Sequence, residues 1–223
     1  MGMSIFSQYI SFMLERQDQI LELTTQHLYL TFIAVFFAVL VAVPLGITIT
    51  RFEKAAGIVV GIANAVQALP SLALLGFLIP ILGIGSKPSI VMIFLYSLLP
   101  IIKNTYTGLT NVDRAILEAG KGMGMTNWQL MKMVQLPLAL PVIMAGIRIS
   151  AVTAVGLTTI AALIGAGGLG QLIYRGISMV NNRMIIAGAV PAMVLTLVID
   201  FLLNILEKLV TPKGIRRRAK SKK

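Results

Sequence analysis

From residue 27 onward the chain alternates long apolar runs with short polar stretches. Five runs stand out, at residues 27–50, 57–82, 88–109, 137–164 and 184–206. Each is long enough to cross a hydrocarbon core of about 30 Å, which needs about 20 helical residues. The second run, GIVVGIANAVQALPSLALLGFLIPIL, carries Pro70 in its middle. Cut there, it yields two pieces of about 13 residues, each too short to span. The expectation is therefore one helix bent at the proline; a re-entrant pair would change the topology by one crossing. The fold class expected is an all-α polytopic membrane protein with about five transmembrane helices. Residues 1–26 precede the 27–206 bundle as an amphipathic segment on the outer face. Residues 207–223 follow it as a basic tail.

Composition agrees with that class. Only 12% of the 223 residues are charged and 57% are hydrophobic, against about 25% charged in a soluble domain. There is no cysteine, which excludes disulfides, zinc–thiolate sites and thiol nucleophiles. The single histidine, His27, excludes a histidine metal cluster and reads as an interfacial residue at the start of the first run. No metal site is expected.

The net charge of +11 is concentrated at the end, with eight of the nineteen basic residues from Lys208 onward. A short solvated tail of this kind suits membrane lipids of an anionic leaflet rather than nucleic acid. With the tail inside, Arg51, Lys54, Lys103, Arg114, Lys121 and Lys132 also fall inside. Arg16, Lys87, Arg175 and Arg183 then fall outside. The positive-inside bias thus puts the N-terminus outside and the C-terminus in the cytoplasm of a multi-pass cell-membrane protein.

The most unusual stretch lies between the third and fourth runs: LEAGKGMGMTNWQLMKMVQLPLALP, residues 117–141. Asn111 is a candidate N-cap for a helix leading into it. Gly120, Gly122 and Gly124 each weaken that helix by about 1 kcal/mol relative to alanine, which calls for a turn or a close backbone approach. Thr126 can cap a second helix, NWQLMKMVQ, with Leu130, Met131 and Val134 on one side. Pro137 suits the first turn of the next helix. Two short cytoplasmic helices around a glycine bend, showing small residues outward, make a docking element and not a catalytic pocket.

Those residues resemble the cytoplasmic signature of permease subunits of ATP-binding-cassette importers. That signature is Glu-Ala-Ala, three residues, Gly, nine residues, Ile-x-Leu-Pro. Here it reads Glu118-Ala119-Gly120, then Gly124, then Val134-Gln135-Leu136-Pro137. Gly120 for alanine and Val134 for isoleucine are the departures. The five-run layout resembles the type I, methionine-permease-like arrangement. The segments QALPSLALLGFLIPILGIG, FLYSLLPIIKNTYTGL, LEAGKGMGMT, LPLALPVIMAGIR and IGAGGLG look like those of permeases for osmoprotectants such as glycine betaine, carnitine and choline. Permeases for methionine share GAGGLG and the signature loop, but YSLLPIIKNTYTG and PLALPVIMAGIR look more like the osmoprotectant group than like permeases for methionine or other amino acids.

The resemblance implies that residues 111–136 form a coupling loop. Glu118, Ala119, Gly120, Gly124, Val134, Leu136 and Pro137 would face a separate ATPase subunit, which would bind the ATP and magnesium. It also implies a second permease subunit, identical or paralogous, and an extracellular substrate-binding protein. No cofactor and no enzymatic activity are expected of this chain.

Other motifs resolve on context. Gly165, Gly167, Gly168 and Gly170 fit a dinucleotide pattern, but no strand precedes them and the run lies on the outer side. They read as a flexible turn near an outer gate. No phosphate-binding G-x-x-x-x-G-K-[ST] motif occurs. Asn64, Gln67 and Ser71 recur at helical spacing in the second run. With Tyr96 they are candidates for a translocation path, or else they bond a neighbouring helix. Asp200 in the fifth run reads as a member of a structural ion pair or a snorkelled contact, or else as a transport residue; Arg148 is either its partner or a residue facing the headgroups. A secondary transporter would show inverted repeats and midplane acids, and a membrane enzyme a cluster of His, Asp or Glu; neither pattern is evident.

Overall fold

A computed structural model describes residues 5–211; most of the basic tail, residues 212–223, lies outside them. All regular structure among the described residues is helical. The helices are α1 (Ile5–Glu15), α2 (Gln17–Ile49), α3 (Glu53–Ala68), α4 (Ser71–Leu82), α5 (Ser86–Thr110), α6 (Arg114–Gly122), α7 (Asn127–Leu130), α8 (Leu136–Ala161), α9 (Gly170–Ser178) and α10 (Asn182–Val210). Helices α2, α5, α8 and α10 are each long and apolar enough to span a membrane.

Helix α5 is the centre of the bundle, packed by α2 and α8 and flanked by α3 and α4. Close approach comes from small residues. On α2, Ala34, Ala38, Ala42 and Gly46 recur every fourth position and are buried. That ladder faces α5 and α8, and Gly46 sits against Thr105 of α5. Gly146 of α8 lies against Asn104 and the Pro100 carbonyl of α5 in the same way. Such contacts replace the hydrophobic drive that lipid surroundings remove. The other face of α2 carries Phe32, Phe36, Phe37, Leu40 and Val41, all exposed, as a lipid-facing surface requires. Buried hydroxyls add cross-links: Thr31 to Thr158 at 2.9 Å, and Ser150 donating to the Ser97 carbonyl at 2.9 Å.

The second run does not form one kinked helix. It is an elbow of two helices meeting at 97°. Leu69 and Pro70 both adopt extended ψ values, 136° and 134°. The residue before a proline is driven out of the helical region, and the bend becomes a break. The elbow still carries the chain from one end of the bundle to the other. It starts just after α2 passes Thr105, and it ends at Gly85, beside the Gly165 carbonyl. It therefore counts as one span, giving five crossings with two distinct ends. One end holds α6 and α7; the other holds the glycine turn and α9.

Candidate functional site: coupling loop, elbow and glycine turn

At the first end, α6 is capped by Asp113, whose side chain accepts from the Ala115 amide at 2.9 Å. Asn111 instead closes α5. The shift of two residues is physical: the Asp113 side chain reaches the second amide of the new helix, the geometry an N-cap needs.

Helix α6 ends in a Schellman motif. The Gly124 amide donates to the Lys121 carbonyl at 2.9 Å and the Met125 amide to the Gly120 carbonyl at 3.1 Å. Gly124 has a φ of +81°, the left-handed position that glycine fills at least cost. Gly120 is buried; the end of the Leu130 side chain lies 2.6 Å from where a Cβ would stand. Leu130 thus fills the space an alanine methyl would take.

Thr126 then caps α7 in a reciprocal capping box with Gln129. The second loop helix is not separate, however. From Asn127 it runs through a π-helical turn, Met131–Gln135, into α8. Pro137 has no amide hydrogen and its ring crowds the preceding turn; a wider turn directly before it relieves that conflict. Val134, Leu136 and Pro137 are half-buried in this junction. Glu118 and Ala119 are exposed on α6, as are Met123, Trp128 and Met133 nearby.

At the elbow, the candidate path residues separate. Asn64 is exposed on α3, while Ser71 begins α4 beyond the bend, so the three do not share one helical face. Gln67 donates from Nε2 to the Tyr96 carbonyl at 2.9 Å. The Tyr96 hydroxyl donates to the Leu69 carbonyl.

At the other end, Gly165, Gly167 and Gly168 have φ values of +78°, +92° and +81°. This turn is packed rather than loose: Gly167, Gly168 and Gly170 are buried. The Gly168 amide donates to Gln26 Oε1, and the Leu169 amide to His27 Nδ1, both at 3.3 Å. With Nδ1 accepting, the ring proton sits on Nε2, which donates to the Val155 carbonyl at 3.0 Å. His27 is fully buried and is no interfacial anchor. Sequence reading missed this role of Gln26 and His27; the signal was a polar pair placed just where an apolar run begins.

Arg148 and Asp200 form a fork-like ion pair, Nη2 to Oδ2 at 2.8 Å and Nε to Oδ1. It joins α8 to α10 near mid-helix, about 18 Å and 15 Å along from Leu136 and Val210 respectively.

Known proteins share this architecture. Residues 34–213 match the family described as binding-protein-dependent transport system inner membrane component. The glycine betaine/carnitine/choline transport system permease protein OpuCB of Bacillus subtilis is 48% identical over 94% of this chain and 97% of its own length. The osmoprotectant import permease protein OsmW of Salmonella typhimurium is 46% identical, over 93% and 99%. Among solved structures, the MetNI methionine ABC transporter in an inward-facing conformation aligns with a TM-score of 0.79 at 26% identity, over 89% of this chain and 99% of that one.

Proposed function

The chain belongs to the family of binding-protein-dependent transport system inner membrane components, as a multi-pass permease subunit, and we propose that its importer carries osmoprotectants of the glycine betaine, carnitine and choline class. The observation that carries the substrate class is the level of likeness. Relatives named for these solutes are 42–48% identical over nearly the whole chain, whereas the methionine transporter is 26% identical.

In this reading α6, α7 and the π turn dock on a separate ATPase subunit, which binds ATP and magnesium. The exposed Glu118 and Ala119, the left-handed Gly124 and the apolar Met123, Trp128 and Met133 supply the contact surface. Val134, Leu136 and Pro137 carry its movement into α8, since the helix is continuous from Asn127. A second permease subunit completes the path, with Asn64 and Ser71 lining the elbow. A substrate-binding protein delivers solute to the glycine-turn end, which faces outward along with the N-terminus, and the C-terminus is cytoplasmic.

The test is uptake. The chain, produced with its ATPase and binding-protein partners in cells lacking osmolyte uptake, is expected to import labelled glycine betaine, carnitine or choline at high osmolarity. Methionine in excess should not compete. Uptake of methionine with none of the three amines would overturn the assignment.

A further inference from the structure

Two prolines leave two carbonyls without helical donors. In a regular helix the amide of residue 100 would donate to the carbonyl of residue 96, but Pro100 has no amide hydrogen. The Tyr96 carbonyl is orphaned. At the elbow, the extended Leu69 turns its own carbonyl out of α3, just before Pro70. That carbonyl is orphaned too. Each is satisfied from across the gap: Gln67 donates to the Tyr96 carbonyl, and the Tyr96 hydroxyl donates to the Leu69 carbonyl. A backbone carbonyl that loses its helical donor is satisfied by such a side-chain partner. The 97° elbow and the proline of α5 therefore hold each other in register through two side chains.

What they hold is otherwise lightly anchored. Of the residues of α4, only Leu74 and Leu75 are buried. Leu72, Phe77 and Ile81 are exposed. The helix starts at the Leu69–Pro70 break and ends at Gly83 and Gly85, with φ values of +78° and +101°. A short element between two backbone joints can swing as a unit without disturbing the packing of α2, α5 and α8.

We propose that Gln67 and Tyr96 are positioning residues: a two-bond latch that holds the α3–α4 elbow bent against α5, and that releases when the elbow opens during transport. The bend itself stands on this geometry; only its place in the transport cycle rests on the importer reading. Leu69 and Pro70 are the joint, and α4 is the part that moves.

The chain has no cysteine, so paired labels are clean. Ile58→Cys and Ile81→Cys place spin labels on exposed positions either side of the joint. Arms of about 11 residues at about 1.5 Å each put the labels about 22 Å apart at the observed bend and about 33 Å apart if straightened. Pulsed EPR on the full chain in lipid nanodiscs, diluted with unlabelled chain, reads this directly. Tyr96→Phe removes only the hydroxyl, and Gln67→Met only the amide, so both variants should fold. Each is expected to enlarge the long-distance population about fivefold, the effect of losing one net hydrogen bond. In the assembled complex each should raise solute-independent ATP hydrolysis by a similar factor while thermal stability stays near wild type. An unchanged distance distribution in the double variant overturns the latch. A changed distribution with unchanged coupling keeps the latch and removes it from the cycle. Loss of uptake of every osmoprotectant by the wild-type complex bears on the importer reading alone.

Discussion

The imidazole of His27 donates from Nε2 to the Val155 carbonyl, 3.0 Å away, while its Nδ1 accepts from the Leu169 amide. One side chain thus joins α2, α8 and the glycine turn, and His27, Val155 and Leu169 are all buried. His27→Ala removes both bonds and strands a buried amide. It is expected to cost roughly 2 kcal/mol or more, read as a lower midpoint of thermal unfolding in detergent. A variant as stable as wild type would mean the bridge contributes nothing.

The glycines of the turn differ in what surrounds them. A Cβ at Gly170 would run into the Thr159 backbone, with its carbonyl carbon at 2.9 Å, whereas one at Gly165 meets nothing within 4 Å. Backbone cannot swing aside as a flexible side chain can. Gly170→Ala is therefore expected to abolish folded protein. Gly165→Ala should cost only the left-handed conformation, about 1 kcal/mol. Size-exclusion yield of the two variants ranks them; equal yields would contradict the packing.

In the coupling loop, Glu118 and Gly124 call for different experiments. Glu118 is exposed and touches no described partner needed for the fold. Glu118→Lys should leave yield and melting temperature unchanged and abolish solute-stimulated ATP hydrolysis. Gly124→Ala should weaken the Schellman turn by about 1 kcal/mol, so a loss of activity there mixes folding with docking. Normal stimulation in Glu118→Lys would remove that residue from the ATPase contact.

Arg148 and Asp200 are a matched pair in mid-helix. Arg148→Met or Asp200→Asn alone leaves a polar group without its counterpart in apolar surroundings. Each should reduce the amount of folded chain recovered from membranes. Replacing both, Arg148→Met with Asp200→Leu, should recover most of it, because two apolar side chains leave no unpaired charge facing hydrocarbon. A double variant no better than the worse single one would mean the pair is not coupled.

Much of the architecture was legible because length and hydropathy report membrane spans directly. The five apolar runs became five crossings, and the Glu118–Pro137 spacing located the loop. The failures have local causes. The elbow at Pro70 looked like a kink because length alone favoured one span. What makes a full break affordable is Tyr96, 27 residues away, catching the Leu69 carbonyl. The His27 bridge depends on partners 128 and 142 residues distant, which periodicity does not register. The second loop helix looked separate because Pro137 reads as a helix start. The π turn lets the helix pass through it.

Sidedness is the remaining prediction, and the fold sharpens it. Contacts define two ends: Gln26 and His27 meet the glycine turn at one, and α6 and α7 occupy the other. Because α1 and α9 share an end, Leu14 and Val180 must lie on the same side of the membrane. Lys121 must lie on the opposite side. These relations hold whichever way the bundle points. The expected direction follows from the basic residues: Arg114, Lys121 and Lys132 cluster at the α6–α7 end, so the positive-inside bias predicts that end to be cytoplasmic. Gly168 would be a poor reporter, being buried in a left-handed conformation. Val180 at the α9–α10 turn is 86% exposed and Leu14 is 62% exposed. In intact cells an impermeant maleimide should label Val180→Cys and Leu14→Cys but leave Lys121→Cys untouched until the membrane is opened. Labelling of Lys121→Cys alone from outside would invert the bundle. Opposite labelling of Leu14→Cys and Val180→Cys would break the five-crossing fold itself.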